Sequence, residues 1–114
     1  MSMAAWEAKK LSLEVWRYLA EHPQIDNKGA LPTALYAKIA GLLHNCPLCE
    51  LFNVEDKVGF CVPVCSPCPL KNCFDESSLY YEYIKSKYKR NPEKSRKYYA
   101  QKIVNAIEAW DPDK

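Results

Sequence analysis

Between Cys46 and Cys73 the chain places six cysteines in 28 residues. Four of them form two pairs, Cys46-Pro47-Leu48-Cys49 and Cys65-Ser66-Pro67-Cys68, with 15 residues between the pairs. Two Cys-x2-Cys turns at a separation of roughly 15 to 20 residues bring four thiolates to one tetrahedral ion, and Zn2+ closed in by four sulfurs has no open position for a substrate. Such an ion is structural. A proline inside each turn, Pro47 and Pro67, restricts the backbone before any metal arrives. Structural zinc contributes roughly 10 to 16 kcal/mol in finger-sized peptides at neutral pH, which rivals the whole stability of a typical domain. The stretch also holds four of the eight prolines and shows no helical period. So long an irregular stretch is unusual in a compact domain unless something holds it. The expectation is a segment that folds around its ion and unfolds without it.

Which four sulfurs bind is less fixed than the existence of a site. Cys46, Cys49, Cys65 and Cys68 fit the spacing best. Cys73, five residues after Cys68, would also close a tetrahedron with Cys65, Cys68 and one sulfur of the first pair. Cys61, between Phe60 and Val62, is an alternate ligand or a buried apolar thiol. His44 could replace a sulfur, or simply interact with the last carbonyls of a helix. An iron-sulfur cluster is the alternative to Zn2+, because both Cys46 and Cys68 are followed by proline. The run of closely spaced Cys-x2-Cys-x2-Cys ligands typical of ferredoxins is absent, which favours zinc.

A chain of 114 residues, 48% apolar and 26% charged, is one ordinary globular domain with a thin core. No apolar run approaches the ~20 residues of a membrane span, and Met1 to Lys10 lacks the pattern of a secretion signal. A reducing, cytoplasmic setting is therefore expected, where clustered cysteines serve metals more often than disulfides.

The hydrophobic pattern predicts a mainly α protein: two helical pairs flanking the cysteine-rich zinc segment, with room for a short β-hairpin where Phe60, Val62 and Val64 alternate. The units are an N-terminal helical pair (1–45), the metal segment (46–73) and a basic C-terminal helical pair (74–110). Leu11, Val15 and Leu19 mark the first helix, which ends at His22-Pro23. Pro32 opens the second, whose Leu35, Ile39, Leu42 and Leu43 carry it to about Asn45 and straight into Cys46. Asp75 is the expected cap of the third, with Tyr80, Tyr83, Ile84 and Tyr88 on its inward stripes. Asn91 and Pro92 start the fourth, with Tyr99, Ile103, Ala106, Ile107 and Trp110 facing inward. The acidic end, Asp111 to Asp113, is expected to fray.

Enzymatic readings fail on specific grounds. A zinc deaminase needs His-x-Glu and Pro-Cys-x-x-Cys, and neither Cys-x2-Cys pair here follows a proline. A thioredoxin-like pair should open a helix, whereas Cys46 is expected to follow one. Two histidines and three glycines leave little for acid-base or phosphate-loop chemistry. A non-enzymatic interaction protein, with no small-molecule substrate and no membrane partner, is the reading that remains. A small iron-sulfur or thiol-redox protein is its alternative.

The net charge of +2 hides a strong asymmetry. Residues 83–102 carry eight basic side chains against the single Glu93, half of all the basic residues in the chain. Residues 79–102 interleave these cations with six tyrosines. Cations neutralise phosphates and aromatic rings stack on bases, so Lys85, Lys87, Lys89, Arg90, Lys94, Arg96, Lys97 and Tyr98 are the candidate nucleic-acid or polyanion contacts. Simple solvation or an acidic protein partner would use the same charges. A protein partner would instead be anchored by Trp6, Trp16 or Trp110 through burial.

The elements Asn45-Cys46-Pro47-Leu48-Cys49 and Cys65-x2-Cys68-Pro69-Leu70, with a later Cys73, resemble those of a loose group of short cysteine-rich bacteriophage proteins of unknown function. The likeness covers residues 45–73, and Cys61 is an addition to the pattern. It implies a viral protein working in the host cytoplasm on a host process or defence system, and it supplies no catalytic residues.

Overall fold

The computed structural model describes residues 4–25, 28–42, 46–48, 53–55, 61–63 and 78–113. Its described residues are mainly helical. Helix α1 spans Ala5–Glu21 and buries Ala8, Ser12, Leu13, Val15, Trp16, Leu19 and Ala20, a broad stripe at helical spacing. It stops where the sequence stops it: His22 leaves the helical region (φ −126°) ahead of Pro23, because the proline ring disfavours helical backbone in the residue before it. The His22 ring stacks on Tyr18 at 3.9 Å and closes on the Tyr18 carbonyl at 2.9 Å, occupying a terminal acceptor of the helix.

A 3-10 turn at Lys28–Ala30 leads to α2, Thr33–Ile39. This helix is shorter than its apolar pattern predicts. Gly41 takes a positive φ of 91°, which a side chain would strain, and the Leu42 amide bonds back to the Ile39 carbonyl at 3.0 Å. That is a helix stop at the position where glycine is favoured. Leu42 therefore continues an apolar pattern without continuing a helix, and α2 does not deliver the chain into Cys46. Residues 47 and 48 are helical again, directly after Cys46.

Strands β1 (Asn53–Glu55) and β2 (Cys61–Pro63) pair antiparallel, with Val54 opposite Val62 and Asn53 opposite Pro63. Pro63 belongs to the last described pair of the ladder.

Helix α3, Leu79–Lys85, is capped by Ser78, whose hydroxyl accepts from the Tyr81 amide at 3.1 Å. Asp75, expected in that role, lies outside the described residues. The buried Ser86 hydroxyl donates to the Glu82 carbonyl at 3.1 Å, a back-bond that competes with the helical ladder, and the chain tightens into a 3-10 turn over Ser86–Tyr88. Helix α4, Pro92–Ala109, starts as its sequence predicts, with Asn91 Oδ1 accepting from the Lys94 amide at 3.3 Å and Pro92 at the first position.

Among the described residues the core is one cluster. Leu13, Val15, Trp16 and Leu19 of α1 meet Ala100, Ile103, Val104 and Ile107 of α4, joined by Leu31, Ile39, Cys46, Leu48 and Tyr83. Among the described elements the principal partner of α1 is α4, followed by the packing of α3 on α4. Trp16 ties the third helix in, with its ring edge-on to Tyr83 (5.0 Å) and Tyr80 (6.0 Å). The chain ends are fastened as well. Lys9 Nζ donates to the carbonyls of Glu108 and Trp110, placing a cation at the negative end of α4, and Arg17 pairs with Glu108 at 2.7 Å. Trp6 Nε1 donates to Asp113 Oδ1 at 2.9 Å, so the acidic end is held against α1 instead of fraying. Among the described residues no helix is long and apolar enough to cross a membrane.

Candidate functional site

The cysteine segment meets the helical core at Cys46, Pro47 and Leu48, all of which are buried. Cys46 is 7% exposed and Leu48 1%, both inside the apolar cluster built by α1 and α4. A thiol in that position is fixed by its neighbours and shielded from solvent. As a metal ligand it would anchor the ion to the helical body. Of the other candidate ligands, Cys49, Cys65, Cys68, Cys73 and His44 lie outside the described residues, as does the side chain of Cys61. Among the described residues no three His, Cys, Asp or Glu side chains converge. Cys46 directly precedes the helical residues 47 and 48, as the first thiol of a redox pair would. Its burial, however, runs against the solvent access that a reactive thiol needs.

The basic candidates lie on α3, the turn after it and α4. At 3.6 residues per turn, α4 divides its charge by azimuth. Lys94, Lys97, Tyr98, Gln101, Lys102 and Asn105 form an exposed stripe, while Ala100, Ile103, Val104 and Ile107 point inward. Arg96 falls on the inward side. It is 8% exposed, and its Nε donates to the Pro23 carbonyl at 2.7 Å. It ties α4 to the end of α1 and leaves the set of polyanion contacts. Lys85 is half-buried and pairs with Glu82 at 2.8 Å. That hydrogen bond chiefly, with the charge of Lys89 and a hydrogen bond from Tyr99 added, holds the Glu82 carboxyl below the usual glutamate range.

Lys87, Lys89, Arg90, Lys94, Lys97 and Lys102 are exposed, and none pairs with a carboxylate among the described residues. Their neighbours are tyrosines. Tyr98 is 53% exposed, as expected, and lies edge-on to the half-buried Tyr99 at 5.0 Å. Tyr88, expected to point inward, is 79% exposed. The helical stripe that would have buried it ends at Lys85, where the 3-10 turn changes its azimuth. Lys87 Nζ stands 5.1 Å from the centre of the Tyr88 ring, and Lys102 Nζ stands 5.1 Å from that of Tyr98. The tryptophans offer less. Trp16 is buried, Trp110 is half-buried, and only Trp6 presents an exposed ring.

Compared with protein-family models, with characterised proteins and with solved structures, the chain gives no significant match.

Proposed function

We propose that this chain is a non-enzymatic, zinc-stapled interaction protein whose exposed basic surface, from Lys87 to Lys102, binds nucleic acid. The observation that carries the proposal is the row of exposed cations Lys87, Lys89, Arg90, Lys94, Lys97 and Lys102, none in a salt bridge among the described residues, beside two exposed tyrosine rings. Each phosphate neutralised by such a cation releases condensed counterions, which gives affinity without base contacts. Zinc enters through the two Cys-x2-Cys pairs, and its role is architectural: it fixes the cysteine segment to the helical body through Cys46. The resemblance to phage proteins supports a viral regulator of a host process or defence system, acting in the host cytoplasm.

The test is fluorescence anisotropy of the metal-replete protein with mixed-sequence DNA and RNA oligonucleotides at low and rising salt. Binding should weaken by roughly one power of salt per phosphate contact. Absence of binding at low salt rejects the nucleic-acid role. Salt-insensitive capture of a specific protein would then favour an aromatic anchor, for which Trp6 is the exposed candidate. The second reading, a small iron-sulfur or thiol-redox protein, draws on the place of Cys46 ahead of helical residues. An iron-sulfur cluster would colour the protein, whereas zinc leaves it colourless.

A further inference from the structure

We infer that the nucleic acid this surface takes is single-stranded, with Tyr88 and Tyr98 as platforms for unpaired bases. The inference rests on the nucleic-acid reading above and specifies the form of the ligand.

A surface that only grips duplex phosphates needs cations at backbone spacing and gains nothing from exposed rings, because bases in a duplex already stack on one another. Opening a duplex to reach a base costs a few kcal/mol. A single strand carries its bases unstacked, and a base laid on an aromatic side chain contributes about 1 to 3 kcal/mol regardless of sequence. Here two rings are exposed, and each has a lysine ammonium about 5 Å from its centre. Stacking surface and phosphate partner thus come as a unit, twice: Lys87 with Tyr88 on the turn, and Lys102 with Tyr98 on α4. Lys94 lies about one helical turn before Tyr98 and Lys97 directly before it on the same exposed stripe, and Lys89 and Arg90 follow Tyr88 directly. The Tyr98 ring is also held in place, since Tyr99 is half-buried and meets it edge-on at 87°. A ring fixed beforehand loses little conformational freedom on binding.

The experiment compares one fluorescent mixed-sequence oligonucleotide, single-stranded and annealed to its complement, on the full metal-replete chain. The single strand should bind at least about tenfold more tightly. Tyr88→Ala and Tyr98→Ala should each weaken single-strand binding about tenfold while leaving the salt slope unchanged, and Tyr98→Phe should retain it. Both rings are exposed, so circular dichroism should show the fold intact in each variant. Duplex binding as tight as single-strand binding, or tyrosine variants with wild-type affinity, would overturn the single-strand inference and leave the phosphate-binding surface standing. Failure of both forms to bind at low salt would remove the underlying reading, and with it this inference. Binding of poly-glutamate in that case would assign the surface to an acidic polypeptide.

Discussion

With the proposed zinc ion in place, the helical body and the cysteine segment owe their order to different means. In the body, α1 and α4 pack together and bury Leu19, Ile103 and Ile107 completely, so hydrophobic burial holds it together. The segment from Cys46 to Cys73 is rich in proline and poor in periodic apolar residues, and its proposed source of order is one ion held by four sulfurs. The two meet at Cys46, which belongs to the apolar cluster by position and to the proposed site by chemistry. A small domain with a thin core can in this way keep a helical frame built on burial and leave its cysteine-rich quarter to the proposed metal.

The strongest way to break this contrast is to act on the joint. Cys46→Ser should abolish stoichiometric metal binding and the cooperativity of thermal unfolding, while much of the far-ultraviolet helical signal from α1 and α4 survives; metal analysis and circular dichroism report the two separately. Ile103→Ala attacks the other side, with an expected loss of about 2 to 5 kcal/mol in urea unfolding and metal still bound. Arg96→Ala should cost about 1 to 3 kcal/mol, because it removes a buried side chain and the charged donor to the half-buried Pro23 carbonyl, and should leave the salt slope of any nucleic-acid binding unchanged. Lys97→Glu, one residue on, should do the reverse: unfolding within about 0.5 kcal/mol of wild type, with polyanion affinity reduced and the salt slope shallower by about one. Smallest of all is Glu82. Its folded carboxyl is held below its ordinary value by Lys85, so its contribution is present above the unfolded pKa and fades as pH falls through the folded one. Glu82→Gln should flatten the acid limb of a stability profile only slightly, since both partners keep partial contact with solvent.

Much of the frame was legible because its signals are local. Asn91-Pro92 and His22-Pro23 act on neighbouring backbone, and the structure uses both where the sequence puts them. The errors arose where a periodic pattern outran its helix. Leu42 continued the apolar spacing of α2, yet Gly41 had already ended it; a glycine after Ala40 was the available signal. Tyr88 was misplaced for the same reason, its stripe cut short by the back-bonding Ser86. Arg96 could not be separated from Lys97 by charge alone. It takes the azimuth of α4 against α1 to show that one cation faces the Pro23 carbonyl and the next faces solvent. The proposed metal site is legible only as chemistry, from ligand type and spacing, with Cys46 the one candidate ligand whose side-chain surroundings are described.

Native mass spectrometry of the as-purified protein, paired with its visible absorption spectrum, reads out the proposed four-sulfur zinc site itself. One zinc ion per chain on a colourless protein, lost together with Cys46→Ser or Cys68→Ser, is the expected result. A metal-free mass, a coloured protein, or undiminished zinc in both variants would contradict it.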